Sequence, residues 1–376
     1  MTNNIIDLFA GAGGLSTGFH LAGFQALCVI DSNSKALATY QHNYPNTKII
    51  HQDILQLNPS EIRSYLRLQK EQLKAIIGGP PCQGFSRNIP AGYRYRDDPR
   101  NQLYLTFLEF VKEFRPLYVI LENVPEILTA YQGLFKYEIT NQLELLGYKV
   151  ISVTLNAANY GVPQTRARAF FVASLERLIK LPEPTNFGDI RSDYRKKESY
   201  CQMDLLTSNA TQIVTVRDAI SDLPQLNAGQ KYAETEYISA PQTTYQTLIR
   251  HNSTRITNHI ARALTSVQMA RVRILKEGQD ARDLPAELAP KKHYSGAYGR
   301  LYWDKPARTI TRWVFHPGSG RFFHPTQDRT ITIREAARLH SYPDNFHFLG
   351  TYTEMASQIG ESVPPLLAKA IAECII

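Results

Sequence analysis

Over roughly the first 175 residues, short apolar runs alternate with longer amphipathic stretches, a pattern that predicts a parallel sheet covered by helices. Strands are expected at Ile5 to Phe9, Ala26 to Ile30, Lys48 to His51, Ala75 to Ile77, Tyr118 to Leu121, Lys149 to Leu155 and Ala169 to Ala173. Helices are expected between them, at Leu15 to Ala22, Ser34 to Tyr44, Pro59 to Leu68, Asn101 to Phe114 and Leu134 to Leu146. The fold class is therefore α/β, a doubly wound and mostly parallel sheet. Near Leu181-Pro182-Glu183-Pro184 the alternation gives way to a polar stretch rich in turn residues, which marks a second domain. Within it, Asn258 to Glu277 has helical spacing, and Tyr298 to Val314 reads as a strand around Thr309-Ile310-Thr311. From Gln358 to Ile376 an apolar helical run follows the Pro364-Pro365 pair. The expected division is 1–180, then 181–345, with 346–376 packing back on the first domain.

Composition narrows this picture little. The 376 residues are 43% hydrophobic and 20% charged, ordinary for a soluble two-domain protein. No apolar run approaches membrane-spanning length, and Met1-Thr2-Asn3-Asn4 leads straight into the first strand, so no membrane and a cytoplasmic, nucleoid-associated location are expected. Cys28, Cys82, Cys201 and Cys374 form no CxxC pair, which predicts free thiols and no metal site. Charge is more informative. Between Arg250 and Asn345 there are 17 Lys and Arg against 8 Asp and Glu, whereas the rest of the chain has 25 against 26. Clustered cations of this kind are the electrostatic footprint of a polyanion partner.

The chemistry-bearing residues fall at the ends of the predicted strands. Asp7 to Leu15 is a glycine-rich turn opening a helix, where backbone amides can approach a ligand closely. Asp31 follows the second strand, placed to bind a ribose diol, and Asp53 follows the third; together they imply a nucleoside-containing cofactor. After the fourth strand comes Gly79-Pro80-Pro81-Cys82-Gln83-Gly84-Phe85-Ser86, a cysteine on a proline-stiffened loop. A free cysteine is most often a small buried apolar residue. Here, however, Glu122-Asn123 ends the fifth strand in the same manner, which pairs a carboxylate with a thiolate able to add to an electrophilic carbon. Arg166 and Arg168 lie on one face just before Phe170, able to hold a phosphate or carbonyl oxygen. The polar stretch Asn88 to Pro99 reads as a mobile lid, with Ser86 and Arg87 near phosphate.

Taken in order, these blocks resemble the DNA cytosine-5 methyltransferases of the bacterial restriction-modification type. The match runs through Asp7 to Phe19, Asp31, Gln52-Asp53-Ile54, Pro80-Pro81-Cys82-Gln83, Glu122-Asn123-Val124 and Gln164-x-Arg166-x-Arg168. It continues through Arg334-Glu335-Ala336-Ala337-Arg338-Leu339 and Gln358 to Pro365. The resemblance implies a Rossmann-like methyltransferase domain, S-adenosylmethionine as cofactor with S-adenosylhomocysteine as product, no metal, and a flipped cytosine of double-stranded DNA as substrate. It makes Cys82 the nucleophile at C6, Glu122 the partner of N3 and the exocyclic amine, and Arg168 the partner of O2, with Asn123 and Arg166 positioning them. Phe9, Ala10, Gly11, Gly13 and Leu15 are carried onto the methionine portion of the cofactor and its turn. Asp31 and Ser32 go to the ribose, Asp53 and Ile54 to the adenine, and Pro80, Leu103 and Val363 to packing.

The basic segment coincides with the family's target-recognition domain, where Arg300, Arg308, Arg312 and Arg321 are DNA-contact candidates beside Lys305. The Arg334-Glu335-x-x-Arg338 spacing favours a scaffold ion-pair network instead. The chain departs from the pattern at Glu361, where the family has Asn. A monomer with a cognate restriction endonuclease is expected. A transfer-RNA cytosine-5 methyltransferase of the same fold and a catalytically silent DNA-binding homologue are the alternatives. The long basic segment argues against the first, and the intact Cys82, Glu122 and Arg168 set against the second.

Overall fold

A computed structural model describes residues 3–81, 103–191, 211–292 and 295–376. Cys82, Ser86, Arg87, Cys201 and the 88–99 stretch lie outside the described residues. Contacts divide the chain into two compact units, 1–156 with 167–183 and 368–376, and 157–166 with 184–367. The first unit thus closes near the expected break at 181. Of the expected tail, 346–367 lies with the second unit and only 368–376 with the first.

In the first unit β1 (Asn4–Leu8), β2 (Gln25–Asp31), β3 (Lys48–His51), β4 (Ala75–Gly78), β5 (Tyr118–Asn123), β6 (Lys149–Asn156) and β7 (Ala167–Ser174) form one sheet in the order β3-β2-β1-β4-β5-β7-β6. All seven predicted strands are present. The central strands β4 and β5 are buried throughout, which explains their continuous apolar sequence rather than an alternating one. β7 runs antiparallel to both β5 and β6. Helices α1 (Gly14–Leu21), α2 (Ser34–Asn43), α3 (Pro59–Tyr65), α4 (Leu103–Phe114) and α5 (Ala130–Leu145) connect the strands. The predicted start of α5 at Leu134 has a physical basis, because Tyr131, Gln132 and Gly133 are left-handed and regular helix begins after them. Phe107, Phe110 and Phe114 on one stripe of α4 are fully buried in the core, each worth about 1.5–3 kcal/mol of apolar burial. Strand order runs outward from β1 to β3 on one side and from β4 to β5 on the other, so the crevice at the carboxyl ends of the parallel β1 and β4 is the topological switch point.

The second unit carries little sheet: β8 (Asn186–Phe187) pairs with β9 (Thr211–Gln212), and β10 (Lys231–Glu236) with β11 (Arg255–Ile260). Its helices are α6 (Val216–Ile220), α7 (Thr244–Ile249), α8 (Ser266–Ile274), α9 (Ile333–Leu339) and α10 (Tyr352–Glu361); α11 (Pro365–Glu373) carries the chain back into the first unit. Two sequence expectations are corrected here. The helix expected from Asn258 begins only at Ser266, because residues up to Ile260 pair with β10 and Thr265 forms a capping box with Gln268. The strand expected around Thr309-Ile310-Thr311 does not form, since side chains claim its backbone: the Ile310 amide donates to Gln164 Oε1 at 2.8 Å and its carbonyl accepts from Arg166 Nη1 at 2.8 Å.

α9 is the anchor of this unit. Arg338 ion-pairs with Asp222 and Asp344, and Arg329 grips Glu335 at 2.7 Å through both guanidinium nitrogens. Arg334 donates to the carbonyls of Thr257 and Phe346. All of these side chains are fully buried, which is the scaffold role expected for the Arg334-Glu335-x-x-Arg338 motif. The arginine charge holds the Glu335 carboxyl well below its usual range against the opposing cost of burial.

Candidate active site

Several groups of the first unit meet along the carboxyl edge of its sheet. After β1 the chain turns through Phe9 and Gly11, both left-handed, to Gly13 at φ 93°, whose missing side chain makes room for the Tyr40 ring, 2.6 Å from where a Cβ would stand. The Gly11 amide donates to Asp31 Oδ2 at 2.8 Å, and Asn33 donates to Asp31 Oδ1 at 2.7 Å. A carboxylate offers about four acceptor sites, so Asp31 retains capacity for a ligand hydroxyl beside these amides. Burial pushes the Asp31 carboxyl above its usual range, and these amide bonds oppose it.

Behind the turn, Asp7 is fully buried with Oδ2 accepting from Ser16 Oγ at 2.6 Å and Oδ1 without a hydrogen-bond partner. Burial, reinforced by the charge of Asp31, pushes the Asp7 carboxyl up to about 7. Space within 4 Å of a Gly11 Cβ is open. An open glycine turn next to a half-satisfied carboxylate fits a nucleoside-containing cofactor. Around it, Ala10, Leu15, Ile54 and Pro80 are buried, Leu103 is half-buried in the core of the same unit, and Ser32 and Asp53 are exposed, with Asp53 capping the turn at Leu55. Val363 is buried, and belongs to the second unit.

At the next strand ends, Glu122 Oε1 sits 2.9 Å from Arg168 Nε, with both side chains more than four-fifths enclosed. The antiparallel register of β7 explains this meeting: Glu122 lies opposite Phe170 and Asn123 opposite Ala169, so Arg168 arrives at the edge where β5 ends. Asn123 Nδ2 donates to the Pro80 carbonyl at 3.0 Å, which ties β5 to the residue two before Cys82. A Cβ on Gly79 would stand 2.8 Å from Glu122 Oε2. Gly79, which the sequence analysis did not single out, thus leaves the room in which the Glu122 carboxylate sits; its place before the proline pair was the available signal.

Arg166 is buried, and its guanidinium donates to the carbonyls of Ile310, Gly360 and Ser362, all in the second unit with it. The DNA-contact candidates divide as well. Arg300 is buried and donates to the carbonyls of Val272, Leu275, His324 and Gln327, and Arg321 is buried on Gly278, Arg300 and Asp280. Neither presents its charge to a ligand, because both guanidinium groups serve as cross-links in a segment with few regular hydrogen bonds. Lys305 is likewise buried against Asp189. Arg308 is half-buried with Nη1 on the Ser295 carbonyl, whereas Arg312 is exposed and pairs with Glu361 at 2.9 Å. The departure at Glu361 therefore has a partner in the same unit. Among the described residues no cluster of three metal-ligating side chains occurs, and no helix is long and apolar enough to cross a membrane.

Comparison with known proteins agrees with this geometry. Residues 3–376 match the family model of the C-5 cytosine-specific DNA methylases. The type II methyltransferase M.AgeI of Thalassovita gelatinovora is 36% identical, with 98% of each chain covered. M.DdeI of Desulfomicrobium norvegicum is also 36% identical, over 99% of this chain and 88% of that protein. Among solved structures, a prophage-encoded E. coli protein described as a DNA modification methyltransferase superposes with a TM-score of 0.76 at 26% identity, covering 99% of this chain and 97% of that one.

Proposed function

The chain belongs to the C-5 cytosine-specific DNA methylase family, and from that premise we propose that Cys82 is its nucleophile and Glu122 and Arg168 its partners. The protein is a DNA cytosine-5 methyltransferase that uses S-adenosylmethionine. The observation that carries the residue assignment is the enclosed Arg168–Glu122 pair at the end of β5, with Asn123 bonded to the Pro80 carbonyl two residues before Cys82.

Cytosine C5 is a poor nucleophile, and the residues answer that difficulty directly. With the base extruded from duplex DNA, the Cys82 thiolate adds to C6 while Glu122, in its protonated form, gives its proton to N3 and accepts from the exocyclic amine, so the displaced ring electrons settle as a neutral enamine. Arg168 orients the Glu122 carboxylate and supplies a guanidinium to O2. The resulting enamine is nucleophilic at C5. The glycine turn, Asp31 and Asp53 would hold S-adenosylmethionine, whose sulfonium would supply an electrophilic methyl group to C5 and keep the broken bond's electron pair. Loss of the C5 proton then returns its bonding pair to the ring and expels the Cys82 sulfur. Activation in this proposal comes from side chains, so chelators are expected to leave turnover unchanged.

The type II names of the relatives extend the proposal: this chain protects cytoplasmic DNA at one sequence against a cognate endonuclease, acts as a monomer, and reads that sequence with its second unit. The test is a duplex carrying 5-fluorocytosine at the methylated position. Fluorine cannot leave as a proton does, so a complex stable to denaturant is expected with the native chain and none with Cys82→Ala. Turnover by Cys82→Ala would overturn the assignment.

A further inference from the structure

The second unit holds a feature that the family match does not assign. Trp313 is 53% exposed, although it is one of only two tryptophans in the chain. Isolated exposed apolar residues are common and carry no meaning by themselves. Trp313 differs because the loop around it is built to hold it. Ser319 Oγ bonds the carbonyls of both Trp313 and His316, at 2.6 and 2.7 Å. The His316 amide donates to the Trp313 carbonyl, and the Pro317 carbonyl accepts from the Tyr298 amide. Trp313, His316, Gly318 and Ser319 line an open hollow of about 390 Å3.

The charge around the hollow is cationic and aromatic together. Arg312 packs over the Trp313 ring at 5.3 Å, and Phe315, 5.7 Å from Trp313, carries Arg262 at 5.3 Å with its guanidinium on the Phe315 carbonyl. Arg271 stacks on Tyr298 at 4.4 Å. Glu361 pairs with Arg312 at 2.9 Å. Flat π surfaces interleaved with guanidinium groups suit a ligand that is both aromatic and anionic, which is the chemistry of a nucleic acid.

We propose that Trp313 is a specificity-determining contact of this methyltransferase, packing its exposed indole against a base of the recognised duplex while Arg312 and Arg262 meet the flanking phosphates. The inference rests on the DNA-methylating function, and assigns to it a residue and a surface. In bound DNA the Arg312–Glu361 pair is exchanged for an Arg312–phosphate contact, at small cost because the pair is half-exposed.

The test uses the full chain and the duplex it methylates. In a Trp303→Phe background Trp313 is the remaining indole, and its emission is expected to be quenched by that duplex and not by a scrambled one. Trp313→Ala is expected to raise KM for the duplex about tenfold, within the range for losing one base–aromatic contact, with kcat and the thermal midpoint unchanged. Trp313→Phe should recover most of the loss. Unchanged emission and unchanged KM, in a protein that still methylates the duplex, would overturn the assignment and leave the methyltransferase intact. Failure of the unsubstituted protein to methylate any duplex would overturn both.

Discussion

Gly78 and Gly79 are neighbours whose alanine substitutions should fail in opposite ways. A Cβ at 79 would stand 2.8 Å from Glu122 Oε2, about 0.6 Å inside ordinary contact at 3.4 Å. The obstacle is the tip of a side chain, so the fold need not move; the carboxylate must, by about 0.6 Å, against its hold on Arg168. Misplacing a reacting group by 1 Å can cost about a hundredfold. Gly79→Ala is therefore expected to lower kcat about tenfold, or ~1.4 kcal/mol of barrier, with KM for the cofactor unchanged. At 78 the obstacle is the Leu8 backbone oxygen at 2.3 Å, with Phe107 behind it at 3.1 Å. Neither can retreat, so Gly78→Ala should cost about 1–3 kcal/mol of stability or more, several degrees in thermal midpoint. Tritium-methyl transfer under saturating DNA, alongside thermal melts of both variants, reads the two effects. A double-mutant cycle with Glu122→Ala, which removes the obstructing carboxylate, isolates the contact: Gly79→Ala should lose most of its effect on kcat in that background. A Gly79→Ala enzyme as fast as the native one, or as unstable as Gly78→Ala, would refute the reasoning.

Arg338→Met leaves Asp222 and Asp344 buried without that guanidinium, which predicts a loss of about 3–5 kcal/mol, visible as early unfolding of the second unit by limited proteolysis. Asp7, raised to about 7 by burial, binds its proton more tightly folded than unfolded, so its contribution to stability is full below its usual 3.8 and lost as pH rises to 7 and beyond. Urea unfolding between pH 4 and 8 should show that slope, and Asp7→Asn should flatten it. DNA binding should weaken linearly in log salt, but with a slope well short of 17 phosphates. Of the cations from 250 to 345, Arg300, Lys305, Arg321, Arg329, Arg334 and Arg338 are enclosed. A slope approaching the full count would contradict their burial.

The sheet was legible in the sequence because a parallel core forces continuous apolar runs, such as Ala75 to Ile77, between glycine and acidic turns. The strand-end site was legible for the same reason, since Asp31 and Glu122 follow runs whose direction is set. Burial of charge was not. Arg300 and Arg321 read as surface cations because composition counts charge without knowing which carbonyls will surround it. Nor was the divergence of two neighbours: spacing puts Arg166 and Arg168 on one face, but one donates to carbonyls at 310, 360 and 362 and the other pairs with Glu122. Thr309 to Thr311 had strand composition, yet Gln164 and Arg166 took its backbone partners, an override by residues some 145 positions away.

On the proposed reading, in which the second unit reads the DNA sequence, its discontinuity bears on how specificity could be exchanged. A recombination event that replaced 184–367 alone would import new carbonyls at 310, 360 and 362 while inheriting Gln164 and Arg166 from the old parent. Working hybrids therefore require either that 157–166 travel with the imported segment or that both parents share its polar stitching. On that reading, ten residues between β6 and β7 act as the inherited half of a lock, and decide which foreign specificities this chain can adopt.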